Sequence, residues 1–391
     1  MTTQCHIAAL LVLGASVILS LAEEKPQENS AYERIWSIPA LYKNETNPLL
    51  QELALQGQLQ LQYAYGSDDS GKFGSDDLSD DLLWGDTEVR RFRLGVKARL
   101  LKHLKFHSLF DLSPDLSPRI YKRTAEIHLT WTFNEAFNIS AGKAELKFTR
   151  EQEISSREIL SFERSQLANM LYGGELTGAW IGGKNIAGGW FYELGTYAND
   201  RRDEFSNFDG GAIILAKIGR DYTAATTFDH ALAEFHYLHN TEPGFASTGN
   251  PSAAPYSDGV AISSEISEGR FGLAGESFWG NGANGKSDIF GFTVMPTWFL
   301  TDNLQWVSTF QYAASREKNG ILLPLRYEAL SPGAGDKSGD AYYAAYTGLD
   351  YYIYGHKLKL LSGVKYTYMD GGSGGGDFNG WTMMAGVRMA F

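Results

Sequence analysis

The sequence predicts an all-β fold: a transmembrane antiparallel β-barrel of about sixteen strands, with its third long loop folded inward. Three observations predict it. Apolar and polar residues alternate with a period of two, as where Gln56, Gln58, Gln60 and Gln62 interleave with Leu55, Leu59, Leu61 and Tyr63. The connections between such segments alternate between tight turns and long polar loops, as expected of short periplasmic turns and longer external loops. One connection, Glu145 to Leu171, is a charged insert far longer than a usual link between strands.

Composition narrows the class. The chain has 391 residues, 13% aromatic, with 43 Gly and a net charge of −12, which argues against nucleic acid as a partner. Mean hydropathy is −0.26, and no apolar run long enough for a membrane helix follows residue 22. An outer-membrane barrel combines these properties, because its strands carry apolarity in every second residue. The first 22 residues lack Lys, Arg, Asp and Glu, and Ile7 to Leu21 is apolar and ends in Ser20-Leu21-Ala22. This reads as a signal peptide over 1–22, with an N-terminal membrane anchor as the alternative. Cys5, the single cysteine, falls inside it, so the mature chain is expected to fold without disulfides. Residues 23–53 read as a periplasmic lead-in with a helical turn around Pro48 to Leu53, and 54–391 as the barrel.

In chain order the candidate strands are 55–65, 88–100, 104–112, 122–134, 137–144, 174–182, 186–198, 210–218, 222–235, 258–267, 270–279, 287–300, 304–315, 340–354, 357–369 and 380–391. The tight turns between them include Leu101-Lys102-His103, Asn134-Glu135-Ala136, Gly183-Lys184-Asn185 and Gly219-Arg220-Asp221. The long links include 66–85, with its Asp76-Asp77 and Asp80-Asp81 pairs, and 316–339. The last strand alternates Trp381, Met383, Ala385, Val387 and Met389 and ends on Phe391, the pattern of a signal read by the barrel-assembly machinery.

On this alternation Arg91, Arg93, Lys97 and Arg99 lie on the face opposite Phe92 and Leu94. A lipid-facing charge at the membrane midplane costs about 2–4 kcal/mol, so the row must face water inside the barrel. It is either a basic wall that lowers the barrier for anions or a solvated face salt-bridged to loop acids. Gln56, Gln58, Gln60 and Gln62 line the same lumen. The insert carries Lys147, Arg150, Glu151, Glu153, Arg157, Glu158, Glu163 and Arg164. Arg150, Arg157 and Arg164 recur every seven residues, so a partly helical loop would bring them to one face. The charges then either set a transverse field across a constriction or tie the loop to the wall. His236 and His239, with His230 nearby, read as the start of an external loop, and His107 and His128 match no serine motif. No nucleophile, phosphate-cradling or zinc motif is found, and no cofactor is expected.

Three segments then resemble the phosphate-selective porin O and P family: Val89 to Val96, Gly142 to Glu151 with Ser155-Ser156 and Phe162 to Ser165, and Tyr346 to Lys359. The resemblance implies a sixteen-stranded homotrimeric barrel in a Gram-negative outer membrane, in contact with its lipids and lipopolysaccharide. It implies a water-filled channel for small hydrophilic solutes, anions such as phosphate among them. This chain has Glu145-Leu146-Lys147-Phe148 where the family has a Pro-Phe-Gly-like turn, and its insert holds four basic and five acidic residues instead of a lysine cluster. Mild anion preference is therefore the expectation. The alternatives are a structural or adhesive surface barrel with a plugged lumen and an outer-membrane barrel enzyme.

Overall fold

Sixteen strands, each paired antiparallel to its neighbour in sequence, close on themselves in a computed structural model. It describes residues 30–68, 83–114, 119–244, 256–324, 326–330, 337–372 and 376–391. The barrel strands are β1 (Leu50–Asp68), β2 (Leu83–Leu100), β3 (Leu104–Leu112), β4 (Tyr121–Asn134), β5 (Phe137–Glu145), β6 (Glu175–Ile186), β7 (Trp190–Ala198) and β8 (Ala212–Asp221). They continue as β9 (His230–Asn240), β10 (Tyr256–Glu268), β11 (Phe271–Gly282), β12 (Ile289–Phe299), β13 (Leu304–Ser315), β14 (Ala341–Tyr354), β15 (Leu358–Asp370) and β16 (Phe378–Ala390). Closure is made by β16 against β1, with Trp381 opposite Ser67 and Met389 opposite Leu59. Two further backbone bonds of 3.1 Å join Phe391 and Gly57.

The period of two sorts side chains between lipid and lumen. Leu94, Leu129, Leu194, Ile218, Ile262 and Phe310 are exposed on the outer face, while Gln56, Gln58, Gln60 and Gln62 are buried inside. Exposed aromatics gather at both rims: Trp131, Phe133, Trp190, Phe271 and Trp298 toward the short turns, and Trp279, Phe290, Tyr343, Tyr368 and Trp381 toward the long loops. Such girdles mark the two membrane interfaces.

Several boundaries differ from the sequence reading. β1 starts at Leu50, so Pro48 to Leu53 is no helical turn; the helix is α1 (Ala31–Ser37), where Ser30 and Glu33 form a capping box. α1 packs under the barrel through Trp36 Nε1, which donates to the Ala390 carbonyl at 2.6 Å, and through Tyr32 stacked on Tyr354. The β6–β7 turn lies at Ala187-Gly188-Gly189, beyond Gly183-Lys184-Asn185, because all three residues take the positive φ that a tight reversal needs. The candidate strand at 222–235 is displaced to β9, and Thr223–Ala225 is a 3-10 turn. His230, His236 and His239 are consequently strand residues. The 1–22 segment, Cys5 and the paired aspartates Asp76-Asp77 and Asp80-Asp81 lie outside the described residues.

The closing seam allows a direct test. A Cβ on Gly57 would come within 2.3 Å of the Phe391 ring, so this ring requires glycine beneath it. Gly57→Val is expected to cost about 1–3 kcal/mol through overpacking and to lower the folded fraction in heat-modifiability gels. Gly57→Val paired with Phe391→Ala should recover part of the loss.

Candidate functional site

The insert leaves β5 at Glu145 and crosses the lumen before rejoining the wall at β6. Its two ends are buried by apolar contact. Leu146, Phe148, Leu167, Met170 and Leu171 join Ile213, Leu215, Leu238, Tyr256, Phe278 and Ile289 in one cluster, so the inner face of β8–β12 is apolar where the insert lies. Two short helices shape it: α2 (Arg150–Glu153), capped by Thr149, and α3 (Gln166–Met170), capped by Ser165. Between them the chain is irregular, so Arg150, Arg157 and Arg164 do not share one helical face as their spacing suggested.

The wall holds the middle of the insert through its backbone. Arg388 donates to the Ile159, Ser161 and Phe162 carbonyls at 2.7–3.0 Å, and Lys359 donates to Ile159 O at 2.9 Å. Gln60 Nε2 donates to Ser156 O at 2.8 Å, and Ser156 Oγ donates to Gln58 at 3.1 Å. Glu276 on β11 accepts from the Arg150 and Glu151 amides at 2.6 and 3.2 Å. The insert is therefore fixed on β1, β15 and β16 on one side and on β8–β12 on the other.

Most of the candidate charges serve this attachment. Arg150 makes a bidentate pair with Glu265 at 2.8 and 2.9 Å and also meets Glu153 and Glu234. Glu153 pairs with Lys217, and Arg164 donates to the Glu151 and Ile154 carbonyls at 2.6 and 2.9 Å. Glu151 accepts from the Ser165 amide at 2.5 Å; burial pushes its carboxyl up, and that bond opposes the rise. Glu163 takes both donors of Arg90 at 2.6 and 2.9 Å, with Arg326 at 3.5 Å. Burial acts to raise the Glu163 carboxyl, but Arg90 and Arg326 outweigh it and hold it well below the usual carboxylate range. Three charges remain over. Lys147, Arg157 and Glu158 form no ion pair among the described residues.

The basic row of β2 divides. Arg91 is buried and donates to Gln60 at 2.7 Å. Arg93 pairs with Asp111 at 2.5 Å, and the pair extends through Arg123 to Glu175 and Arg201. Lys97 is half exposed and meets Glu52 at 3.6 Å, and Arg99 pairs with Glu45 of the lead-in at the short-turn rim. Gln62 donates to Glu88 at 2.7 Å and contacts Tyr327; Gln56 donates to Ser108 O at 2.7 Å.

Two features escaped sequence reasoning. The described stretches 321–324 and 326–330 of the long connection after β13 also turn inward: Arg326 pairs with Glu88 and Glu163, Glu328 is fully buried against Lys365, and Gln166 donates to Leu322 O at 2.6 Å. Its apolar Ile321-Leu322-Leu323 run was the available signal. The second is the wall the insert leaves uncovered, β2–β4, where Arg93, His107, Glu126 and His128 face Lys147 and Arg157. The charges acting on Arg157 are Glu126, Glu158 and Arg93, while Lys147 acts on both histidines; burial pushes the Arg157 guanidinium down. Arg93 of this wall and Ser156 of the insert also line a cavity of roughly 810 Å³, with ten Arg and Lys against seven Asp and Glu in its lining.

A closed sixteen-stranded barrel with a loop folded across a charged lumen is an outer-membrane porin. The comparisons with known proteins agree. A family model described as phosphate-selective porin O and P matches residues 58–368, and the chain belongs to that family. Among solved structures, the outer membrane channel DcaP of Acinetobacter baumannii is 15% identical, with 90% of this chain and 100% of that chain covered at a TM-score of 0.54. Pseudomonas putida OprB is 12% identical, covering 86% and 94% at 0.56. An anion-selective porin from Comamonas acidovorans is 12% identical, covering 87% and 99% at 0.55. At these identities the structures establish the fold. No curated protein matches.

The Arg90–Glu163 clamp yields a pH prediction. Because the Glu163 carboxyl is depressed in the folded state, its contribution is present above the ordinary carboxylate value of 4.5 and is lost as pH falls toward the folded value. Single-channel records should therefore stay quiet from neutrality to about pH 4.5 and become noisy only in stronger acid. Glu163→Gln leaves Arg90 without its carboxylate while Arg326 keeps Glu88, a loss on the order of 3 kcal/mol, and should make the records noisy at neutral pH.

Proposed function

We propose that this porin conducts small hydrophilic solutes through the gap between the middle of the insert and the β2–β4 wall, with a mild preference for anions, phosphate among them. The carrying observation is that Lys147 and Arg157 form no ion pair among the described residues and act on the β2–β4 wall, whose Arg93 also lines the basic cavity. A cation-lined constriction of low dielectric favours passage of the opposite sign. Pore-lining roles follow for Arg91, Arg93 and Gln56 to Gln62 on the wall and for Lys147, Arg157 and Glu158 on the insert. The remaining insert charges position it.

The resemblance supports a homotrimer in contact with lipopolysaccharide, delivered with a signal peptide over 1–22 and inserted through recognition of Phe391. No enzymatic role is assigned. A second reading, a structural barrel with a closed lumen, draws on the inward position of 321–324 and 326–330 beside the insert. Planar-bilayer recording separates the two: the pore reading expects discrete conductance steps from folded protein, and the closed reading expects none.

Selectivity is tested by reversal potential in a salt gradient. The wild type should show mild anion preference, and Lys147→Glu with Arg157→Glu should abolish or reverse it. Clear cation selectivity of the wild type would contradict the proposal.

A further inference from the structure

The uncovered wall holds a group of side chains that neither barrel closure nor insert attachment uses. His107 on β3 stands directly opposite His128 on β4, their rings stacked with centroids 5.0 Å apart. Glu126 lies two residues before His128 on the same strand face. Its Oε2 is 3.6 Å from His107 Nε2 and 3.9 Å from His128 Nε2. One ligand atom from each of the three lies within 4.8 Å of the others.

These separations are close to what a metal ion requires. Tetrahedral bonds of about 2.0–2.2 Å place ligand atoms about 3.4 Å apart, so Glu126 is nearly in position and the imidazoles have at most about 1.4 Å to close. Because the rings are stacked at an interplanar angle of 23°, at least one must turn about its Cβ–Cγ bond for the in-plane lone pairs to meet at one ion. The lone pairs are available. His128 Nδ1 is buried without a hydrogen-bond partner. Gln56 Nε2 hydrogen-bonds His107 Nδ1 at 3.2 Å and stands 3.5 Å from Nε2, so Nε2, the nitrogen nearest Glu126, is the one the ring offers to a metal. Two imidazoles and one carboxylate with an open fourth position suit zinc, nickel or copper, and suit neither calcium nor magnesium, which take oxygen ligands.

A second cluster, Glu153, Glu234 and His236, has similar spacing but already contains its cations. Lys217 pairs with Glu153, and Arg150 meets both carboxylates. The His107 cluster contains no cation of its own; Lys97 stands opposite His107 on β2, and Lys147 and Arg157 act on it from the insert. They weaken a metal there relative to an isolated site but leave the ligand atoms free.

We propose that His107, Glu126 and His128 form a divalent transition-metal site in the wall of the conducting gap. Occupation would place an ion and its water opposite Arg157, narrowing the passage and adding positive charge to it. Metal binding stands on this geometry alone; only the effect on current rests on the pore reading.

The test uses the folded full-length protein with zinc as the probe, from about 1 µM to about 1 mM. Equilibrium dialysis reads binding, and planar-bilayer recording reads the ratio of conductance with and without zinc, so that altered basal conductance divides out. Saturable binding and a chelator-reversible fall in current are expected in the wild type. His107→Ala with His128→Ala should weaken both by about tenfold or more. Glu126→Gln, which keeps the size of the side chain, should weaken them in the same direction if the histidine pair variant does not fold. Absence of saturable binding, or binding and block undiminished in these variants, would overturn the site. Saturable binding by a protein that shows no conductance would keep the site and reject the pore.

Discussion

The burial of Leu146 and Phe148 at one end of the insert, and of Leu167, Met170 and Leu171 at the other, fixes the rest of the interior. These side chains meet an inward-facing apolar patch of β8–β12 formed by Ile213, Leu215, Leu238 and Phe278. A lumen filled with water could not tolerate such a patch, and an insert without those anchors would have no reason to lie there. Burying each large side chain contributes about 1.5–3 kcal/mol, so the two ends together outweigh the entropy of closing the loop between them. With both ends fixed, the middle of the insert can only span the lumen, and Arg388, Lys359 and Gln60 take its carbonyls on the far side. The same attachment determines which wall remains open.

Electrostatics then act on a frame already set. Around Glu163 and Glu88 stand Arg90, Arg91 and Arg326; around Asp111 and Glu175 stand Arg93, Arg123 and Arg201. Each group has three arginines for two carboxylates. Half-buried ion pairs contribute little net stability, but they hold geometry, and the surplus cation of each group leaves the cavity positive. Of the basic row of β2, Arg93, Lys97 and Arg99 are salt-bridged and Arg91 is bonded to Gln60.

Much of the fold was legible because most strands separate an apolar outer face from a polar inner one. The 104–112 and 304–315 strands coincide with β3 and β13, and the insert follows the fifth strand as expected. Legibility failed where that separation failed. Along β8, Ile213 and Leu215 point inward to the insert while Ile214 and Ile218 face lipid, so both faces are apolar and the period of two disappears. The displaced strand at 222–235 adjoins this region. The site was harder to read than the fold. The charges of the insert were visible as a group, but their division between attachment and the gap depends on partners far away in sequence, such as Glu265 for Arg150 and Arg326 for Glu163. His107 and His128 meet only through the register of β3 on β4, which no local spacing encodes.

Thiol accessibility measures the position of the insert most directly. Cys5, the single cysteine, precedes the barrel, so Arg157→Cys and Gln152→Cys would each place one thiol within it. Gln152 is 1% exposed and bonded to Ala168 O, whereas Arg157 stands on the open side of the insert. A charged thiosulfonate added during bilayer recording should remove most of the current through the Arg157→Cys pore and leave the Gln152→Cys pore unchanged. Equal block of both, or no block at Arg157→Cys, would contradict an insert fixed across the lumen with its middle facing the β2–β4 wall.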